Sequence, residues 1–438
     1  MIDPRPRSST THLLRRVAAV PWGALTLAAV LVAGACSTTA GAAQTLTPSG
    51  PPIHIGIVLP GAGDAGALAT HERIGIEIAR DLVNADGGVD GRPIASTLAT
   101  LDDRTQAQHA VDGLKATGVV AVVGSYSSDL SIPVSQAAQQ DGLVYWESGA
   151  VADRLTGRGL PLVFRVGANG ARLGANSATF AATVLAPRLG RTASVTRVSI
   201  VAAEDDYARS VAVAAQSTAI ARGMAVSRID YDLSFPNWPT VMSRLAAQRP
   251  DIVILAAHIP DGEAFRRAML AAHLHVGALI GSTMAQCVPE FGADLGPAAV
   301  GVFASDRPDA GFNPGALAAA ARAVYDRFAA AWAARVGGEP TEEGLSGFTA
   351  AWALFHDVLP ATAALDPAGI ADAARSMDLP DGSLPNGAGL HFSTDPAQLG
   401  QNDRAAAVIW QWQAVRTSVV VWPAQFAGGT IADVPLAQ

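Results

Sequence analysis

The stretch that decides the fold is IHIGIVLPGAGDAGALATHERIGIEIARDLVNADGGVDGRPIASTLATL, residues 53–101. Its apolar run at residues 53–59, ended by a proline and glycines, predicts a short buried strand. Apolar residues at helical spacing predict a helix over residues 68–84, which a pair of glycines ends. A second apolar run at residues 94–101 predicts another strand. Because two strands joined through a helix pair in parallel, this unit predicts a parallel sheet.

The same alternation continues along the chain. Helices are predicted at residues 106–117 and 130–140, and strands at residues 119–123 and 143–146. A second series then begins, with helices predicted at residues 171–189, 207–222, 238–248 and 262–272, and strands at residues 197–203, 225–231, 252–257 and 276–280. After residues 301–304 the chain is predicted to turn helical, with helices at residues 315–336, 343–359 and 367–376. Closing strands at residues 405–412 and 418–422 complete the prediction. Two such series predict an α/β protein with two doubly wound lobes.

The first residues have the organisation of an export signal. A positively charged segment precedes an apolar segment at residues 17–35, and small residues stand directly before Cys36. We therefore expect a signal peptide at residues 1–35, lipidation of the Cys36 thiol and a flexible stalk at residues 36–52. Ala33 stands where a lipobox usually has leucine, so an ordinary signal peptide remains an alternative. A retained membrane helix is a further alternative, although Pro21 interrupts a short run.

Composition and motifs exclude several classes of function. The formal net charge is −8, and an acidic chain without a basic stripe argues against nucleic-acid binding. The glycines at residues 61–66 fit G-x-G-x-x-G, but Asp102 lies too far on for the acidic residue of a dinucleotide site. His273 and His275 are a close pair that straddles a predicted helix end, which does not predict a metal site. Since no nucleophile stands out beside a base, we expect neither a cofactor nor an enzyme.

Five stretches, in order and spacing, resemble the leucine/isoleucine/valine-binding type of periplasmic binding protein. They are IHIGIVLPGAGDAG at 53–66, RIGIEIARDLVNADGGVDGRPI at 73–94, LATLDDRTQAQHAV at 98–111, GVVAVVGSYSSDLSIPVSQAA at 118–138 and LTGRGLPLVFRVGANGARLG at 155–174. The second, with its N-x-x-G-G-x-x-G-R ending, is the most specific. The resemblance covers residues 53–310, and more weakly the chain to residue 422.

The resemblance implies a type I periplasmic binding fold whose two lobes close on a ligand about a hinge. We assign residues 53–165 and 305–395 to lobe 1 and residues 166–304 and 396–438 to lobe 2. The implied function is that of a monomeric, extracytoplasmic lipoprotein that delivers a small polar ligand to the permease of an ABC importer. The ligand would be an amino acid or an amide-like or urea-like solute. A ligand-sensing module of a signalling receptor is the alternative.

Candidate ligand-binding residues follow the predicted strands of both lobes. In lobe 1, Ser127 or Ser128 at a helix start would hold an anionic end of the ligand, unless the pair only caps the helix. Tyr126 and Tyr207 follow strand ends, and their side chains would form part of the wall of the ligand pocket. By the resemblance, Tyr207 matches a pocket tyrosine of the family, although ordinary packing also explains it.

The segment after the fourth strand departs from the family pattern. Trp146, Glu147, Gly149 and Ala150 lie in a stretch that resembles S-x-x-A-T, whose backbone and threonine hold an amino-acid head group, but Val151 replaces the threonine. His258 stands where the family commonly has tyrosine, and Thr283 or Met284 where amino-acid binders have an acid for the ammonium. Either Glu147 supplies that carboxylate, or the ligand is not an α-amino acid. Glu147 could also be a surface or cap residue, and His258 a satisfied wall residue.

Overall fold

A computed structural model describes residues 48–283, 286, 288–432 and 436 of the chain. The predicted signal peptide, Cys36 and most of the stalk lie outside these residues, as does Met284. The first sheet contains five parallel strands, β1 (Ile53–Leu59), β2 (Ile94–Thr100), β3 (Ala121–Gly124), β4 (Val144–Glu147) and β5 (Val163–Arg165). Their order across the sheet is β2-β1-β3-β4-β5. This is a doubly wound order, in which strands are added on both sides of the first.

The second sheet repeats this order and extends it. Its strands are β6 (Arg197–Ala203), β7 (Ala225–Tyr231), β8 (Ile252–Ala256), β9 (Ala278–Ser282), β10 (Phe303–Asp306), β11 (Val408–Ala414) and β12 (Thr417–Trp422). The order is β12-β11-β10-β9-β8-β6-β7. The β6 to β10 strands are parallel, and the last two pair antiparallel at the edge. The two sheets confirm the predicted fold class.

Helices connect the strands and cover the sheets. They are α1 (Gly63–Ala85), α2 (Ala107–Ala116), α3 (Ser128–Gln140), α4 (Gly170–Phe180), α5 (Ala186–Arg188), α6 (Asp206–Ala221), α7 (Trp238–Gln248), α8 (Ile259–Ala271), α9 (Pro289–Leu295), α10 (Ala319–Arg335), α11 (Glu342–Trp352) and α12 (Pro367–Arg375). Although α10 and α11 follow the second sheet in the chain, both pack against α1 of the first. The chain therefore returns to lobe 1 after β10.

The elements differ from the sequence prediction mainly where segments are short or irregular. The helix predicted at residues 171–189 is divided into α4 and α5 by a wider π turn over Ala181–Leu185, and a similar turn follows α11. The three-residue strand β5 and the seven-residue helix α9 were not predicted as separate elements. Segments this short contain too few residues to show a periodic pattern.

In the part of the chain that the structure describes, three crossings join the lobes, after β5, after β10 and before β11. Two of them lie side by side, because the Arg165 N–H donates to the Gly400 carbonyl and the Asn402 N–H donates to the Arg165 carbonyl. The buried Arg165 guanidinium donates to Gln401 Oε1 at 2.6 Å and to the Ala152 carbonyl at 2.7 Å. Burial lowers the pKa of Arg165 to about 10. This side chain therefore ties the crossings to the loop that follows β4.

Candidate functional site

A cavity lies between the carboxyl ends of the two sheets, and we call it the central cavity. It encloses about 350 Å³ of space unoccupied by protein atoms, part of it open to solvent. Its wall consists of Tyr126, Ser128, Gly149, Ala150, Val151, Tyr207, Thr283, Asp306, Arg307, Glu342 and Glu343. All but the two glutamates follow or end parallel strands, where ligands bind in sheets of this kind. Residues predicted in both lobes are thus brought to one place.

A buried arginine links the two lobes at one wall of the central cavity. Arg307 directly follows β10, and its guanidinium donates to the carbonyls of Ser148 and Gly149 at 3.2 and 2.7 Å. It also forms an ion pair with Glu342 of α11, with 2.7 Å between Nε and Oε1. Burial lowers the pKa of Arg307, but the charges of Glu342 and Asp306 outweigh burial and hold it above its ordinary value. Arg307 is thus a permanent cation whose charge is already balanced.

The first turn of α11 places two carboxylates in the wall. Thr341 caps this helix by accepting the Gly344 N–H. Glu342 is occupied, because it pairs with Arg307 and accepts the Ser346 hydroxyl at 2.5 Å. Glu343 is 6% exposed. Burial and the neighbouring charge of Glu342 raise its pKa well above the ordinary value.

Glu147 lies behind the wall and not in it. Its Oε1 accepts the N–H groups of Gly149 and Ala150, both at 2.7 Å, and its Oε2 accepts the Tyr145 hydroxyl at 2.8 Å. The residue is fully buried, which raises the pKa of its carboxyl group. Glu147 therefore shapes the loop after β4, and its oxygens are engaged by protein groups instead of facing a ligand.

The same loop passes very close to α1. A Cβ atom on Gly149 would lie 2.4 Å from Glu72 Oε2 and 2.8 Å from the Tyr126 Cα, so only glycine fits. The Ser148 hydroxyl donates to Glu72 Oε1 at 2.6 Å. Glu72 is fully buried, and burial together with the charge of Glu147 raises its pKa to about 8. The loop thus rests on two buried carboxyl groups.

The helix α3 presents its amino end to the cleft. Ser127 is its N-cap, with Oγ accepting the Leu130 N–H at 3.4 Å. Ser128 lines the central cavity, and its hydroxyl accepts the Ala152 N–H at 3.1 Å. Tyr126 adopts a left-handed backbone conformation, with φ of 68°, and its side chain is buried in the wall.

The lobe 2 wall is built around a tyrosine. The Tyr207 hydroxyl lies 2.9 Å from the Ser282 carbonyl, to which it donates, and it accepts the Thr283 hydroxyl at 2.9 Å. The ring of His258 packs edge-on against Tyr207, with centroids 5.1 Å apart. Both Tyr207 and Thr283 therefore lie in the wall in fixed positions, with His258 behind.

A second opening, the mouth cavity, lies on the side of α3 and α6 and has about 1100 Å³ of empty space, part of it solvent. Ser127, Ser128, Tyr207 and His258 line it together with Ala65, Arg104, Asp129, Ile132, Glu204, Asp205, Asp206 and Arg209. His258 Nε2 pairs with Asp205. Burial lowers the pKa of His258, but the interaction with Asp205 outweighs burial and the net pKa is raised.

Arg154 of lobe 1 and Asp206 of lobe 2 form an exposed ion pair of 3.0 Å between the lobes.

The structure thus places the predicted residues in three groups. Tyr126, Ser128, Gly149, Ala150, Tyr207 and Thr283 line the central cavity, and Ser127 and His258 line the mouth cavity. Trp146 and Glu147 line neither of these. Trp146 is fully buried, packs against Phe164 and Phe392, and donates from Nε1 to the Ala350 carbonyl at 2.8 Å. A strand residue preceding the loop points into the core, which the sequence pattern did not distinguish.

Sequence reasoning missed Asp306, Arg307, Glu342 and Glu343. Glutamates in the first turn of a helix are expected from the helix dipole alone, so the pair gave no separate signal. Arg307 directly follows a strand at a crossing between the lobes, and this position could have indicated a site residue. The position is recognisable only once the second series of strands is known. The acidic residue that amino-acid binders have for the ligand's ammonium is absent at Thr283. The acidic groups that line the same cavity were not indicated by any local sequence pattern.

Two α/β lobes, three crossings and a polar cavity between facing carboxyl edges define a hinged solute-binding protein. The periplasmic binding protein family model matches residues 52–409, and the chain belongs to that family. Leu/Ile/Val-binding protein homolog 8 of Brucella abortus is 29% identical over 378 residues, covering 85% of this chain and 90% of that protein.

Solved structures show the same fold. A leucine binding protein from Thermotoga maritima superimposes with a TM-score of 0.70 at 18% identity, covering 84% of this chain and 98% of the other. A solute binding protein of an ABC transporter from Rhodopseudomonas palustris, in complex with 3,4-dihydroxy benzoic acid, gives 0.65 at 16% identity, covering 82% and 93%.

The chain is therefore an extracytoplasmic solute-binding protein and not an enzyme. Within the described residues, no helix has both the length and the apolar character needed to cross a bilayer. In the same part of the chain, no group of three or more histidine, cysteine or acidic residues is arranged to hold a metal ion.

Proposed function

We propose that this protein is a lipid-anchored binding protein that delivers a small polar ligand to an ABC importer, the ligand being an amino acid or an amide-like or urea-like solute. The observation that supports this most is the central cavity, to which both lobes contribute polar groups. Ser128 and the loop at Gly149 face it from lobe 1, and Tyr207 and Thr283 from lobe 2. A ligand held from both sides is enclosed when the lobes close.

The amino end of α3 supports an anionic group on the ligand. This helix has 13 residues, and its first N–H groups have no partners within the helix. Together with the Ser128 hydroxyl they offer donors and a partial positive charge to a carboxylate. A carboxylate at this end would leave the remainder of the ligand facing Tyr207, Thr283 and α11.

A thermal-shift screen of amino acids, amides, ureas and small sugars tests the proposal. A ligand at 100 times its Kd stabilises the folded state by about 2.7 kcal/mol, which is readily detected. Small-angle scattering with the ligand found should then show a radius no larger than without it, since closure brings the lobes together. If no small polar compound stabilises the protein, the proposed function is refuted.

Lipid anchoring through Cys36 is the second part of the proposal. Two or more acyl chains anchor a protein stably where one does not, at about 0.8 kcal/mol per buried methylene. Metabolic labelling with a fatty-acid analogue should mark the wild-type protein and leave Cys36→Ser unmarked. Unlabelled wild-type protein in the medium would contradict the anchor. Pull-down of the permease subunits with the liganded protein tests delivery to the importer.

A further inference from the structure

A third space, the side cavity, adjoins the central cavity at α11. It has about 940 Å³ of empty space, part of it solvent, and it shares Glu342 and Glu343 with the wall of the central cavity. Trp410 and Trp412 on β11 also line it. The two α11 glutamates therefore border both spaces.

Glu343 is a buried carboxyl group whose interactions with the described residues do not satisfy it. The residue is 6% exposed, and apart from its own backbone N–H its carboxyl group has no hydrogen-bond or ion-pair partner among the residues that the structure describes. Arg307 is not the ion-pair partner of Glu343, because its guanidinium pairs with Glu342 and donates to two carbonyls. An ionised carboxylate left this way is unfavourable until a cation joins it.

The side cavity has a second unsatisfied group and an acidic lining. The Trp410 indole N–H is buried, at 4% exposure of the residue, and has no acceptor among the described residues. Glu290, Asp309 and Glu339 line the same space, against one arginine, Arg416. A lining of carboxylates with indole side chains favours a cationic group over a neutral or anionic one.

We propose that the ligand has a protonated nitrogen at the end remote from α3, that Glu343 forms an ion pair with this nitrogen, and that the cationic end faces the side cavity. This inference rests on the proposed function and narrows it to one class of solute. The class is a small molecule with a carboxylate at one end and an ammonium or guanidinium group at the other.

Matched probe pairs, with and without a charged terminal group, test the inference directly. L-arginine is compared with L-citrulline, and L-lysine with L-norleucine, by calorimetry on the wild type, Glu343→Gln and Glu77→Gln. Glu77 is the matched control, because it lies on α1 in a partly exposed ion pair with Arg73. A charged hydrogen bond corresponds to about a ten- to hundredfold difference in Kd. We expect the cationic member of a pair to bind tighter by that factor, and Glu343→Gln alone to abolish the difference.

Proton release gives a readout that a structural role would not produce. Burial and the charge of Glu342 raise the pKa of Glu343, while Arg307 lowers it and Asp306 raises it. A raised pKa favours the protonated form of Glu343 in the free site, and a bound cation favours the ionised form. Affinity for the cationic probe should therefore rise with pH through the range in which the free group titrates. Calorimetry in buffers of different ionisation enthalpy should show proton release in the wild type and none from this group in Glu343→Gln.

The outcomes separate the two proposals. Equal affinity within each pair, or a preference for the cationic member that survives in Glu343→Gln, overturns the inference. If no cationic probe binds while a neutral amide, urea or sugar does, the inference is overturned and the proposed function stands. If nothing in the wider screen binds, the proposed function fails with it. Thermal unfolding of Glu343→Gln checks that the variant is folded.

Discussion

Glu72 gives the sharpest test of the charge arrangement under the binding loop. Its Oε2 is buried without a hydrogen-bond partner among the described residues, and its pKa is raised to about 8 by burial and by Glu147. An unfolded glutamate releases its proton near its model value of 4.5. Between these values the folded state binds more protons than the unfolded state. The contribution of Glu72 to the free energy of unfolding must therefore fall as pH rises. It is fully present only below the pKa of the unfolded glutamate.

The size of the effect follows from this difference. The slope approaches 1.4 kcal/mol per pH unit between the two pKa values, so about 2.5 kcal/mol is lost between about pH 5 and pH 7. For a folded chain of roughly 385 residues this corresponds to about 3 °C in Tm. Glu72→Gln still accepts the Ser148 hydroxyl but cannot titrate. The Tm of this variant relative to wild type should therefore increase by about that amount over this range.

Differential scanning calorimetry at intervals from pH 5 to 8 measures this difference. Glu77→Gln on the same helix is the control, because its side chain is partly exposed and forms an ion pair with Arg73. Groups that do not interact with Glu72 cancel in the comparison. If the Tm of Glu72→Gln relative to wild type is the same at every pH, the buried carboxyl group does not have the raised pKa on which the reasoning depends.

Three further outcomes are expected. Gly149→Ala should lower Tm and abolish ligand binding, because its Cβ would overlap Glu72 Oε2 and the Tyr126 backbone; unaltered calorimetric affinity would contradict this close approach. Glu147→Gln should change ligand affinity by less than about threefold, since the amide oxygen can still accept the two loop N–H groups; a tenfold loss would place Glu147 in contact with ligand. Arg165→Met should destabilise the fold by about 3 kcal/mol in urea unfolding, because buried carbonyls and Gln401 lose their donor; a loss below about 1 kcal/mol would refute its role as a tie between crossings.

The fold was predictable because its signals are local and repeated. Apolar runs of strand length alternate with helical spacing, and two such series suffice to predict two doubly wound lobes. The positions of Ser128, Tyr207 and Thr283 in the cavity wall were predictable for the same reason, because each comes shortly after a strand and parallel carboxyl ends meet at one edge.

The remainder of the site depends on how distant segments pack. Glu343 lies on a helix that follows lobe 2 in the chain and packs on lobe 1, so its place in the wall is a tertiary property. Glu147 shows the converse. Its position after a strand was identified, but the direction of its side chain is set by the N–H groups of the loop that it supports.

The ion pair between Arg154 and Asp206 has a consequence for the protein at rest. With 58% and 35% of their side chains exposed, the partners are strongly hydrated, and such a pair contributes about 0–1 kcal/mol. Salt weakens it further. The contribution of this pair to the equilibrium between separated and apposed lobes therefore decreases as the ionic strength outside the cell membrane rises. Ligand-free protein with apposed lobes would compete with the liganded protein for an importer that recognises the apposed form. This competition would be weaker at high salt than in dilute medium.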